Sequence, residues 1–201
     1  MTAVHSIFAA AGLDPQGCVP WGSAVPLSTS GLYLVSTVAD ADATSSATSF
    51  SMNPDAARTL LMRRPELAID GTRATESSLM SRLAAMWVPG EPTLYIGLAG
   101  TSMKSRVGQY YSTPLGARSP HAGGWPIKML SCLRQLWVYF AASDEPDAAE
   151  RAMVDAFARG IPSQLAAKLH DPTAPIPYAN LMFPAGRKKR HGITGAKASR
   201  T

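Results

Sequence analysis

Leu94-Tyr95-Ile96-Gly97, followed by Ser105-Arg106-Val107-Gly108-Gln109-Tyr110, is the stretch that decides the fold. A short aromatic and β-branched run predicts a buried strand closed by a glycine. Thr101 or Ser102 then caps a helix carrying Arg106 and, one turn later on the same face, Tyr110. One strand-to-helix unit thus gathers two phenols and a guanidinium. Upstream, Gly31-Leu32-Tyr33-Leu34-Val35 predicts another strand, over 31–38, apolar as expected where both faces are covered. It supplies a third tyrosine.

Outward from these strands, residues 1–13 predict a short helix, and the Pro-, Gly- and Ser-rich residues 14–30 an extended arm with Trp21 as a core anchor. Residues 39–53 read as a loop of small polar residues. Asn53-Pro54 starts a helix that must stop before Pro65. A second helix over 75–87 places Leu79, Leu83, Met86 and Trp87 at helical spacing. These two helices form an insertion, 39–92, between the first two strands. Its Arg58, Arg63, Arg64, Arg73 and Arg82 fit either a DNA-facing lobe or a packing pair that covers the sheet. A third strand at 135–141 follows, then a helix over 146–159 with Asp147 near its cap, another from Pro162 to about 169, and an irregular 175–184.

The chain has 201 residues, 46% hydrophobic and 16% charged, enough for one domain with a real core. No run approaches the roughly 18 apolar residues that a membrane helix requires, and no basic leader precedes an apolar one at the start. Cys18 and Cys132 are far apart and form no metal-type pair, which favours reduced thiols and a cytoplasmic setting. The net charge is +5. After Asp171 there is no acidic residue, while Arg187, Lys188, Lys189, Arg190, Lys197 and Arg200 follow. Residues 184–201 therefore read as a basic tail, suited either to phosphate contacts or to solvation.

Taken together, Gly31-Leu32-Tyr33, Tyr95-Ile96-Gly97, Arg106 with Tyr110 four residues on, Glu150 in Ala-Ala-Glu-Arg-Ala-Met, and Asn180 in Tyr-Ala-Asn-Leu resemble the signatures of the GIY-YIG endonuclease family. The resemblance covers 31–38 and about 93–183. It implies an α+β domain over 31–183, with a mainly antiparallel three-stranded sheet flanked by helices. It departs from the family pattern in three places. The gap between the tripeptides is far longer than usual, Leu98 stands where many members carry Lys, and the interval from Tyr95 to Arg106 is one residue longer than is common.

What the resemblance implies is metal-dependent cleavage of DNA, with RNA as the alternative substrate and a non-cleaving nucleic-acid-binding module as the alternative function. Tyr33, Tyr95, Arg106, Tyr110, Glu150 and Asn180 are then the catalytic set. Glu150 would hold one Mg²⁺ or Mn²⁺, an ion that keeps most of its waters and needs few protein ligands. Arg106 has the fork geometry for two phosphate oxygens. Tyr110 is the first choice of base, then Tyr33, then His121, with Tyr95 orienting phosphate or water. Lys104, His121, Arg187, Lys188, Lys189 and Arg190 are expected to touch nucleic acid. Taken singly, the tyrosines also fit ordinary strand core, Arg106 a solvated helix face, Glu150 a surface ion pair and Asn180 a turn. The size suits a restriction, mobile-element or defence nuclease. A palindromic cutter would be a two-fold dimer, with Trp125 or the inserted helices at its interface.

Overall fold

The computed structural model describes residues 1–47 and 49–198. Arg200, counted in the expected basic tail, and Thr48 of the expected loop lie outside them.

The fold is α+β, built on an antiparallel sheet whose strand order is β1-β6-β2-β5. These strands are β1 Gly17–Pro20, β2 Gly31–Ser36, β5 Thr93–Ala99 and β6 Trp137–Ala142. Every residue of β2 is buried, because β2 has a strand on either side and packing on both faces. The sheet therefore has four strands where the sequence predicted three. Gly17–Pro20, read as part of the extended arm, pairs with β6 from Gly17 opposite Phe140 to Pro20 opposite Trp137. Four residues beginning with Gly and ending with Pro carry too little period-two signal to announce a strand. An edge position tolerates the missing donor of Pro20.

Alternation along the strands divides the core in two. Leu32, Leu34 and Ile96 face Val4, Ile7 and Phe8 of α1 (Val4–Ala9) and Met153, Val154 and Phe157 of α5 (Pro146–Gly160). Tyr33 and Val35 face the other way. Their neighbours are Ala57 and Leu60 of α2 (Pro54–Arg63), Leu79 and Leu83 of α3 (Glu76–Ala85), and Met103, Val107 and Tyr110 of α4 (Met103–Ser112). Asn53 caps α2 through Asp55 and Ala56 N–H, and Pro65 stops it, as predicted. Ser102 caps α4. At α5 the cap position is Glu145, whose side chain bonds no helix N–H, and Asp147 lies in the first turn, near the cap as expected.

The insertion packs on the core and its arginines are largely engaged. Arg58 pairs with Asp55 and Glu76, Arg64 with Glu66, and Arg82 with Asp70 at 2.5 Å. This favours the packing-pair reading of the insertion over a DNA-facing lobe. Between α2 and α3 a tight hairpin, β3 Ala68–Ile69 and β4 Thr72–Arg73, turns through Asp70-Gly71. After the short α6 (Ser163–Ala166), the chain returns and β7 (Ile193–Thr194) pairs with β3. The basic segment is thus no free arm over its described length. Ile193 is 6% exposed, and anchoring one apolar side chain holds its charged neighbours against the fold. Among the described residues, no helix is long and apolar enough to cross a membrane.

Candidate functional site

The register of β2 against β5 sets Tyr33 directly opposite Gly97 and Val35 opposite Tyr95. A Cβ on Gly97 would lie 2.6 Å from the Tyr95 ring and 2.9 Å from the ring and hydroxyl of Tyr33. The glycine is therefore the space in which two phenols pack side by side, their ring centroids 5.8 Å apart. Tyr110 rises from α4 against both, 6.3 Å from Tyr33 and 5.4 Å from Tyr95.

His121 completes this aromatic cluster. It comes from the loop after α4, is 3% exposed, and stacks on Tyr110 at 4.3 Å with an interplanar angle of 8°. Its backbone N–H donates to Thr113 Oγ1 at 3.1 Å. Its Nδ1 lies 3.1 Å from the Gly123 carbonyl, which can only accept, so Nδ1 carries the hydrogen. Nε2 is then an acceptor, and the Tyr33 hydroxyl donates to it at 2.7 Å. Nothing in the sequence spacing joins these two residues, which lie 88 positions apart. The sequence reading ranked His121 as a DNA contact first and a base third; its burial places it beneath the surface as the partner of Tyr33.

Tyr110, the first choice of base, is otherwise engaged. It is 1% exposed and its hydroxyl donates to the Gly124 carbonyl at 2.6 Å. Gly124 sits at φ +63, and a side chain there would overlap that hydroxyl. Burial raises the Tyr110 phenol well above its ordinary range, with Tyr95 adding to the effect. Tyr33 behaves likewise: burial dominates, and the lowering by Arg106 does not offset it. Tyr95 is half-buried and opens on the cleft. Burial pushes it up to about 12, with the neighbouring Tyr33 hydroxyl and the charge of Arg106 acting against the shift. All three phenols thus rest above the ordinary tyrosine range.

Arg106 and Glu150 border this cluster. The Arg106 guanidinium is half-buried, with the Pro120 carbonyl 3.5 Å away, and it lines a hollow of about 260 Å³ with Gly100, Ser102 and Gln109. Its charge reaches Tyr33, Tyr95, His121 and Glu150. Glu150, projecting from α5, shares a cleft of about 240 Å³ with Tyr95, Gly123, Asn180 and Lys197. Among the described residues its carboxylate has no ion-pair partner. Burial and then Asp147 push its pKa up to about 7, against Arg106 and Arg151. Among the described residues no three His, Cys, Asp or Glu side chains converge as a ligand cluster. A half-buried carboxylate facing an open cleft still fits a hydrated hard cation, which needs one or two carboxylates and keeps its waters.

No family model, curated protein or solved structure matches the chain. Its functional reading therefore rests on its own residues.

Asn180 occupies a different role from the expected one. Its Oδ1 accepts from Ile96 N–H at 2.9 Å and its Nδ2 donates to Ile96 C=O at 2.8 Å. With Ala179 N–H donating to Leu94 C=O at 2.8 Å, it extends the exposed edge of β5 as a pairing strand would. Asn180 thus holds the strand that carries Tyr95 and Gly97. Lys189, expected on phosphate, is 6% exposed. Its Nζ donates to the carbonyls of Ile176, Pro177 and Tyr178 at 3.0–3.4 Å, fixing the turn that delivers Asn180. Of the other basic residues read as phosphate contacts, Lys104, Arg187, Lys188 and Arg190 are exposed. Arg187 lies over the Phe183 ring, and Arg190 is tied to Asp171 and Thr173. Trp125, named as an interface residue, is 6% exposed.

Proposed function

We propose that the cleft lined by Tyr95 and Glu150, with Arg106 in the neighbouring hollow, hydrolyses phosphodiester bonds in nucleic acid, with the site of a GIY-YIG endonuclease. The observation that carries this reading is the register of Tyr33 opposite Gly97, which brings the two tripeptides into one site beside Arg106 and within electrostatic reach of Glu150. The antiparallel sheet and the helices on both its faces support the same assignment. DNA is the expected substrate, and RNA is the alternative.

Arg106 binds two oxygens of the phosphate and stabilises the charge that grows on them. Glu150 would hold a single Mg²⁺ or Mn²⁺, which would supply Lewis-acid stabilisation of the leaving oxygen. The attacking water gives its proton to the Tyr95 oxygen as Tyr95 passes its own to Tyr33, and Tyr33 passes its own to His121 Nε2. The new bond joins the water oxygen to phosphorus as the bond to the leaving sugar oxygen breaks.

In the free protein His121 is a poor base. Burial, then Arg106, hold its pKa at about 4. A phosphate anion on Arg106 offsets that second effect, so substrate binding itself raises the basicity of the proton acceptor.

The complete burial of Tyr33, and the raised phenols, favour one second reading: a module that grips nucleic acid without cutting it. Labelled DNA and RNA oligonucleotides incubated with Mg²⁺ or with EDTA separate the two. Products that form only with the cation support hydrolysis. An unbroken strand that still shifts in a gel supports the binding module.

A further inference from the structure

A cavity of about 530 Å³ lies apart from the aromatic cluster and is walled by residues 188–197, Trp125, Leu181 and Met182. It shares Leu181, Met182 and Lys197 with the Glu150 cleft, so the two spaces border a common wall. Lys188, Lys189, Arg190 and Lys197 line it and, among the described residues, no carboxylate does. Lys189 is committed to carbonyls and Arg190 to Asp171. Lys188 and Lys197 are exposed and, among the described residues, have no carboxylate within ion-pair distance.

The wall also offers what a nucleobase needs. Trp125, 6% exposed, contributes a small part of its side chain to that wall. His191 Nδ1 accepts from Ile193 N–H at 3.0 Å, which leaves Nε2 bearing the hydrogen as a fixed donor. A sphere of this volume is about 10 Å across, narrower than the roughly 12 Å major groove of a duplex. A double helix cannot enter it, whereas a single splayed nucleotide can.

We propose that this cavity holds one unpaired nucleotide of the substrate strand, flanking the phosphodiester at the Glu150 cleft. Its base lies against Trp125 and His191 and its phosphate between Lys188 and Lys197. The protein would then act at junctions between duplex and single strand, or at ends and flaps, in preference to continuous duplex. This inference rests on the phosphodiesterase reading.

The test is fluorescence anisotropy of the full chain in EDTA, with a labelled duplex carrying a short single-stranded overhang and the same duplex blunt. DNA and RNA overhangs are compared in separate arms. The overhang should bind about tenfold more tightly, the scale of one base stacked on an aromatic side chain. The Lys188→Glu, Lys197→Glu double variant, altered only at exposed positions, and separately His191→Gln should each lose that preference. Equal affinity for blunt and overhang substrates, or a preference untouched in both variants, overturns the proposal. Cleavage with Mg²⁺ but no overhang preference overturns the nucleotide pocket alone. Neither cleavage nor binding of any substrate overturns the underlying reading as well.

Discussion

Replacing His121 by Gln should expose how far the aromatic cluster depends on one buried hydrogen bond. Glutamine cannot reproduce both the Nδ1–H to Gly123 and the Nε2 acceptor for Tyr33 in the plane of a ring stacked on Tyr110. Leaving the Tyr33 hydroxyl unpaired costs about 1–3 kcal/mol. Losing the ring stack costs about 0.5–1.5 kcal/mol more. The variant should therefore be about 2–4 kcal/mol less stable at pH 7 in guanidinium titration. In a Tyr33→Phe background the same substitution should cost about 1–2 kcal/mol less, because the bond it breaks is already gone.

The cost should also shrink as pH falls. Burial holds His121 at about 4 in the fold, below its ordinary 6.5. A lowered pKa means that the neutral imidazole contributes stability above pH 6.5, and that this is lost as pH falls toward 4. The full difference corresponds to about 3 kcal/mol. His191, also at about 4, titrates in both proteins and cancels in the comparison. Wild-type and variant stabilities that run parallel from pH 7 to pH 4, or strict additivity with Tyr33→Phe, would refute the Tyr33–His121 pairing.

Other expectations follow from the same geometry. Gly97→Ala forces a Cβ against two tyrosine rings and should lower stability by about 1–3 kcal/mol, read as a fall in Tm. Asn180→Ala strands the Ile96 amide and carbonyl and should cost about 2–4 kcal/mol, while hydrogen exchange at Ile96 accelerates. Lys189→Met should cost about 2 kcal/mol or more, whereas exposed Lys188→Ala should stay within about 0.5 kcal/mol. Glu150 titrates near 7, above its ordinary range, so its burden on the fold is absent below about pH 4.5 and grows as pH rises through 7. Glu150→Gln should match wild type at pH 5 and exceed it by about 1–2 kcal/mol at pH 8, after allowance for its partial solvent screening. Mg²⁺ should raise the wild-type Tm more at pH 8 than at pH 6 and leave Glu150→Gln unmoved.

Long apolar segments were legible in the sequence because their burial is written in their own side chains. Gly31–Ser36 and Thr93–Ala99 are strands for that reason, and Asn53-Pro54 with Pro65 bounded α2 by local chemistry alone. Gly17–Pro20, Ala68–Ile69 and Ile193–Thr194 escaped because strands of two to four residues owe their existence to a partner brought by tertiary folding. The tail misled in the same way. Its charges describe a solvated arm, yet Ile193 and the carbonyls around Lys189 draw it into the fold. Within the site, the gathering of Tyr33, Tyr95 and Tyr110 near Arg106 could be read from the paired tripeptides and the helix spacing. Gly97 as the space between two rings and His121 as the partner of Tyr33 could not. A histidine in a Gly/Pro-rich loop gives no sign of which buried hydroxyl it will meet.

The central claim is that the Tyr95 and Glu150 cleft, with Arg106 beside it, breaks phosphodiester bonds. Supercoiled plasmid incubated with Mg²⁺ and either wild type or Glu150→Ala tests it most directly. The account predicts nicked or linear product from wild type, none in EDTA, and none from Glu150→Ala. Plasmid left intact by wild type with Mg²⁺, or cut equally by Glu150→Ala, would contradict it.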